Sequence, residues 1–252
     1  VDDYIKDGDQ VYKLKVTTAS EDIDFNELVA ESVELTNIDL SKPGFVVSET
    51  SLTTYEDQEQ PAATFTIKLS SIPSADVSVT LNSSNAKEGS VSPMTLKFTK
   101  DNWSEPQTVT VQGLDDDIRD GNINYTVFFA PAESNDEDYA AMQLAPIKIT
   151  NIDNDHAGLN INIPAEGYEL LEGSDSIVLV KLNTEPKNDV TVAINIDDNT
   201  EASSDVEKVV LNAQNWKTGV NVRILGVSDY IIDGDQPVKI TFTATSADED
   251  YN

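Results

Sequence analysis

Apolar and polar residues alternate along much of the chain. Phe65-Thr66-Ile67-Lys68-Leu69, Val77-Ser78-Val79-Thr80-Leu81 and Thr108-Val109-Thr110-Val111 each put every second side chain on an apolar face. The pattern returns in Val190-Thr191-Val192-Ala193-Ile194, Val220-Asn221-Val222-Arg223-Ile224 and Val238-Lys239-Ile240-Thr241-Phe242, and occurs earlier in Val33-Glu34-Leu35-Thr36. A period of two predicts strands whose apolar faces pack sheet against sheet. Ser70-Ser71-Ile72-Pro73-Ser74, Asn82-Ser83-Ser84-Asn85 and Asp115-Asp116-Asp117 separate the runs and predict turns. Glu21–Ala30 and Asp136–Leu144 have room for one helical turn each but too few apolar positions for a surface helix.

The strands recur in register. Asp7-Gly8 returns as Asp120-Gly121 and again as Asp233-Gly234, with equal steps between them (120 − 7 = 233 − 120). Asn102-Trp103 and Asn215-Trp216, Gly113 and Gly226, and Asp76-Val77 and Asp189-Val190 keep the same spacing. Shared positions at one spacing mean an internal duplication. Residues 227–252 re-read residues 1–26, so the chain begins and ends in mid-repeat. About seven short strands per repeat predict an all-β fold of tandem immunoglobulin-like antiparallel β-sandwiches. Residues 1–40 are the C-terminal part of a first repeat, 41–155 a complete sandwich, and 156–252 a third repeat lacking its last strand. The boundaries follow Asn37-Ile38-Asp39 and Asn151-Ile152-Asp153-Asn154-Asp155, where short linkers predict neighbouring repeats in contact. The expectation is a window on a longer tandem array. The alternative is a subunit whose open ends complete one another between molecules by strand exchange, giving a filament.

Composition narrows the function classes. Sixteen basic against 46 acidic residues give a net charge of −30, with no cysteine and one histidine, His156. Disulfides, thiol nucleophiles and Cys-based zinc sites are excluded. Nucleic acid is not an expected partner, because phosphate binding needs clustered Lys and Arg. No apolar run approaches the ~20 residues of a membrane helix, so membrane insertion of this segment is not expected. Phosphate loops, His-based metal motifs and nucleophile elbows are absent from the sequence. Acidic pairs could mimic a glycosidase, but acids recurring at the repeat period suit a structural motif better than one active site. The chain is therefore expected to be non-enzymatic.

The acids of the middle repeat gather in loops: Asp115, Asp116, Asp117 and Asp120 after one strand, Glu133, Asp136, Glu137 and Asp138 after the next, and Asp153 and Asp155 at the exit. Glu56 and Glu59 precede the first long strand, and Glu88 lies in a loop after Leu81. In a sandwich such loops can converge at one end. Packed carboxylates repel, and a hard cation compensates them; calcium takes ~6–8 oxygen ligands from flexible loops, whereas magnesium prefers to keep its water.

These residues carry a resemblance. Asn151-Ile152-Asp153-Asn154-Asp155-His156-Ala157-Gly158 looks like the Asp-rich linker of Calx-β domains, the calcium-binding sandwiches of sodium–calcium exchangers, and Asp116-Asp117-Ile118-Arg119-Asp120 is similar to their acidic loop. Glu88-Gly89-Ser90-Val91-Ser92-Pro93, Leu96, Phe98, Asn102-Trp103 and Pro106–Val111 resemble a Calx-β-like repeat of bacterial secreted and surface proteins. The resemblance implies calcium ligands at Asp116, Asp117, Asp120, Asp153 and Asp155, with either Glu56 or Glu59, and in the third repeat at Glu172, Asp229 and Asp233. Position 117 is Tyr230 in the third repeat and Tyr4 in the first, and Asp39-Leu40-Ser41-Lys42-Pro43-Gly44 replaces the acidic exit in the first. The middle repeat thus has the fullest set.

Plainer readings stand beside these. Asp-Gly pairs form turns, and an acidic surplus also serves solubility and repulsion. Asp136 and Asp138 are expected to cap a loop, Trp103 and Trp216 to be structural, and His156 to be a linker residue. The expected role is a stalk or spacer segment of an extracellular or bacterial cell-surface protein, with repeats stiffened by calcium, whose partners are neighbouring repeats or copies of itself. A glycan- or protein-binding module is the other alternative, with Tyr139 and Tyr168 as its candidate aromatics and an unknown host or cell-surface ligand.

Overall fold

The computed structural model describes residues 3–163, 167, 169–229, 231–232 and 234–252. The chain divides into two compact units: Val1–Thr54 with Gln58–Leu114 and Asn124–Asn151, and Tyr55–Asp57 with Asp115–Ile123 and Ile152–Asn252.

In the first unit, β1 (Gln10–Leu14) and β2 (Val33–Asn37) form a two-stranded antiparallel sheet. The middle repeat supplies β3 (Phe45–Val47), β4 (Ser51–Tyr55), β5 (Ala63–Leu69), β6 (Val77–Ser83), β7 (Gly89–Ser92), β8 (Thr95–Phe98), β9 (Gln107–Gly113), β10 (Ile123–Phe129), β11 (Glu133–Ser134) and β12 (Ile147–Ile152). One sheet runs β3-β5-β9-β7; the other runs β11-β6-β10-β12-β4, with β8 also on β6. Alternation places Phe65, Ile67 and Leu69 of β5 and Val77, Val79 and Leu81 of β6 in one buried core with Val109, Val111, Val127, Ile147 and Ile149. Phe65 meets Phe129, and Phe45 meets Phe98 and Tyr139, in edge-to-face pairs with centroids 5.9–6.4 Å apart. β1 and β2 differ from expectation. Their residues alternate correctly, but among the described residues no second sheet covers the hairpin, and all ten are exposed.

In the second unit the last repeat forms β13 (Leu159–Ile161), β14 (Asp175–Leu182), β15 (Val190–Ile196), β16 (Ala202–Ser204), β17 (Lys208–Leu211), β18 (Val220–Gly226) and β19 (Ile240–Ser246). The sheets are β13-β14-β18-β16 and β17-β15-β19. Val178, Val180, Val190, Val192, Leu211, Trp216 and Val222 are buried between them. Among the described residues the only helical segment is a 3-10 turn at Glu249–Tyr251, and the Asp136–Leu144 stretch forms turns. The protein is all-β, with immunoglobulin-like antiparallel sandwiches.

One docking contact occurs in both units. In the first, Ile72 N–H donates to Tyr4 C=O at 2.8 Å; in the second, Glu185 N–H donates to Asp117 C=O at 2.7 Å. Both partners are displaced by the repeat spacing (185 − 72 = 117 − 4). Lys6 pairs with Asp138, and its counterpart Arg119 with Asp250. Side chains at the joint differ. Tyr4 packs on Trp103 with centroids 5.5 Å apart, whereas Asp117 pairs with Lys217 at 2.8 Å.

Candidate metal centre

The exit of the middle repeat is built on a clamp that the first repeat also has. Gly121 N–H donates to Asp153 Oδ2 at 2.7 Å, Asp155 N–H donates to Asp153 Oδ1 at 2.7 Å, and Asp153 N–H donates to Asn122 Oδ1 at 3.1 Å. In the first repeat Gly8 N–H and Ser41 N–H bind the two oxygens of Asp39 at 2.9 and 2.8 Å, and Asp39 N–H reaches Asp9 Oδ1 at 3.0 Å. Gly8 and Gly121 have φ of 78° and 79°, a left-handed conformation that explains the Asp-Gly pair. These bonds hold the Asp39 carboxyl below the usual carboxylate range. Asp153 is therefore first a structural clamp.

What the middle repeat adds is an acid on each side, Glu56 buried and Asp155 partly so. Glu56 follows β4, its N–H bound to Ile152 C=O at 3.1 Å, and only 2 % of it is exposed. The inward face of β4 runs Leu52, Thr54, Glu56, so the strand period itself turns this carboxyl inward, while Glu59 lies beyond it, exposed. Asn154 N–H donates to Glu56 Oε2 at 3.3 Å. Glu56, Asp153 and Asp155 present carboxylate oxygens within 4.8 Å of one another. Asp155 Oδ2 is buried without a hydrogen-bond partner, a costly state for an acceptor.

The electrostatics match that crowding. Burial, followed by the charges of Asp153, Asp116 and Asp155, pushes the Glu56 carboxyl up to about 7. Burial, followed by Asp153, Asp116, Asp115 and Asp117, pushes Asp155 up to about 6. Asp116 and Asp120 lie in the 115–123 loop of the same unit, with carboxylate oxygens within 4.8 Å of each other. Asp116 Oδ1 accepts from Ile118 N–H at 2.7 Å, and Asp115 Oδ1 accepts from Asn154 Nδ2 at 3.1 Å. The oxygen-only donor set, excess negative charge and unpartnered oxygen suit a hard divalent cation.

Other sequence candidates take different places. Asp117 is exposed and engaged by Lys217. Glu172 is exposed and accepts from Ser228 at 3.4 Å, Asp229 accepts from Ile231 N–H at 2.8 Å, and neither belongs to a cluster of three acids among the described residues. Asp233, Tyr168 and Tyr230 lie outside the described residues. Tyr139 is not a surface aromatic: it is fully buried, its hydroxyl bound to Ser71. Asp136 caps a loop, accepting from Ser74 N–H at 2.6 Å and Asp138 N–H at 2.9 Å. Trp216 is buried, Trp103 packs against the core, and His156 is exposed, its Nδ1 3.0 Å from Asn154 C=O. Glu88 is a buried acid bound by Asn151 Nδ2 at 3.3 Å.

No known protein family matches the chain, and no curated protein does. Solved structures do. The calcium binding domain CBD12 of CALX1.1 is 14% identical, over 67% of this chain and 70% of that one, with a TM-score of 0.35. The periplasmic chaperone SfaE is 13% identical, over 83% and 95%, with a TM-score of 0.36. Domains 4–9 of the surface layer protein SbsC are 15% identical, over 95% of this chain and 35% of that one, with a TM-score of 0.30.

Proposed function

We propose that this chain is a non-enzymatic structural segment of an extracellular or bacterial surface protein, a stalk or spacer whose middle sandwich binds calcium at its exit. The observation that carries the reading is the Glu56–Asp153–Asp155 cluster with its unpartnered buried oxygen. Glu56, Asp153 and Asp155 would hold the ion, with Asp116 and Asp120 supplied by the neighbouring loop. The bound cation supplies the positive charge that these acids lack.

The mechanical consequence follows from chain connectivity. The 115–123 loop carries Asp116 and Asp120, and it also carries Asp117 and Arg119, which dock on Glu185, Lys217 and Asp250. Neutralising the acids orders that loop, and an ordered loop presents its docking groups in place. The test is thermal unfolding of the chain in excess chelator and in millimolar calcium, with magnesium as control. Calcium at ~100 times its Kd adds ~2.7 kcal/mol to the stability of a folded state that alone binds it. A rise in melting temperature with calcium, lost in Asp155→Asn, supports the reading; no shift with calcium ends it.

A further inference from the structure

The inward face of β4 carries a hydroxyl where strand alternation calls for an apolar side chain. Leu52, Thr54 and Glu56 point inward. Two residues ahead of Glu172 the third repeat has Leu170, packed on its core, where the middle repeat has Thr54 two residues ahead of Glu56 (172 − 170 = 56 − 54). Thr54 is 1% exposed, and so is Asn151 of β12, the strand beside β4. Thr54 Oγ1 donates to Asn151 Oδ1 at 2.9 Å, across 97 positions of chain.

The other end of the amide fixes its orientation. Asn151 Nδ2 donates to Glu88 Oε2 and to Leu114 C=O, each at 3.3 Å, so two acceptors hold the nitrogen and leave the carbonyl to Thr54. The single proton of Thr54 is thereby engaged, which makes the Tyr125 hydroxyl, 3.4 Å from Oγ1, the donor of that pair. Burial above all pushes the Tyr125 hydroxyl up, so it keeps its proton. Its place is reserved by Gly89, where a Cβ would overlap the Tyr125 oxygen. Glu88 is itself buried. A nucleophilic oxygen, an amide carbonyl and an acid beside the amide nitrogen thus meet in one dry place, the parts an acyl transfer needs.

We propose that Thr54 and Asn151 join in an ester bond, a covalent tie between β4 and β12 that the protein makes by itself. Thr54 Oγ1 attacks Asn151 Cγ and forms the new C–O bond. The Cγ–Nδ2 bond breaks, and its electron pair leaves on nitrogen. The hydroxyl proton passes to that nitrogen by way of Glu88, which already holds its N–H, and one ammonia departs. Nothing is oxidised or reduced, and no further reactant is consumed. Fixed proximity supplies what a free hydroxyl and a free amide lack in water, and exclusion of water protects the ester once formed. The tie closes residues 54–151 into a covalent loop, so β4 and β12 stay joined even when the sandwich unfolds.

The experiment is intact-mass measurement of the full chain, in chelator so that the result does not depend on the cation site, at intervals after refolding. A species lighter by one ammonia is expected to grow with time. Tryptic digestion is expected to give residues 16–68 joined to 149–181, and hydroxylamine to separate them, leaving a hydroxamate on residue 151. Thr54→Val, which removes only the nucleophile, is expected to keep its full mass, and Thr54→Ser to lose ammonia again, both variants melting cooperatively. Glu88→Gln is expected to slow the loss about a hundredfold. A wild-type chain that keeps its full mass at every time overturns the proposal. Ammonia loss that persists in Thr54→Val, or that leaves the two peptides unjoined, overturns it as well.

Discussion

Glu56 and Asp155 are carboxylic acids held where ionising is costly. Their folded-state values of about 7 and about 6 lie above the ordinary range, so between pH ~4.5 and 7 the folded chain binds more protons than the unfolded one. The stability they contribute is fully present below their ordinary values and is lost as pH rises through 6 and 7. Metal-free protein is therefore expected to melt lower at pH 8 than at pH 5.5 by this contribution, and the Glu56→Gln, Asp155→Asn double variant is expected to flatten that dependence. Calorimetry in chelator across this range checks it. Glu56→Gln alone is expected to stabilise metal-free protein at pH 8 by on the order of 1 kcal/mol, a rise of ~2–4 °C, while weakening calcium binding. Calcium has the opposite sign of pH response. It binds the ionised acids, so its affinity measured by titration calorimetry is expected to fall as pH drops from 8 to 5.5.

At the scale of single elements, the two buried tyrosines repeat one device. Tyr139 donates to Ser71 C=O at 2.9 Å and accepts from Ser71 N–H at 3.3 Å; Tyr251 does the same with Thr184 at 2.8 and 3.2 Å. Each ties the loop after one sheet's strand to a turn of the other sheet. Tyr139→Phe leaves the Ser71 N–H and hydroxyl short of a partner in a dry place, and is expected to cost ~1–3 kcal/mol, read as a lower urea midpoint with an unchanged slope. This tyrosine also marks how far the sequence reads. Period-two alternation locates β5, β6, β9, β15, β18 and the start of β19, because a half-buried strand writes its burial into every second residue. Tyr139 sits past the end of β11, where no period holds, so only the fold reveals that it points inward. The choice between Glu56 and Glu59 stays open in the sequence, and only the burial along β4, with Leu52, Thr54 and Glu56 inward, separates them; the pairing of Asp117 with Lys217, far apart in the chain, likewise depends on tertiary docking and leaves no local trace. The exposed β1 and β2 carry the alternation without the burial, since a face needs a second sheet to cover it.

For the molecule as a whole, the internal repeat gives each unit the same backbone contact but different side chains around it. The Tyr4–Trp103 pair is apolar and in ring contact; the Asp117–Lys217 pair is charged, with 51% and 69% of its side chains exposed. Surface ion pairs contribute only ~0–1 kcal/mol and are screened by salt, with a Debye length of ~8 Å at 0.15 M. Asp117→Tyr with Lys217→Ser, which imports part of the other joint, is expected to reduce the salt dependence of the second unit's thermal transition and leave the first unit's unchanged. Two latches of one shape but different material do not release together. As salt rises, the charged latch is expected to loosen first while the aromatic one keeps its hold, so ionic strength acts on one of two otherwise equivalent contacts.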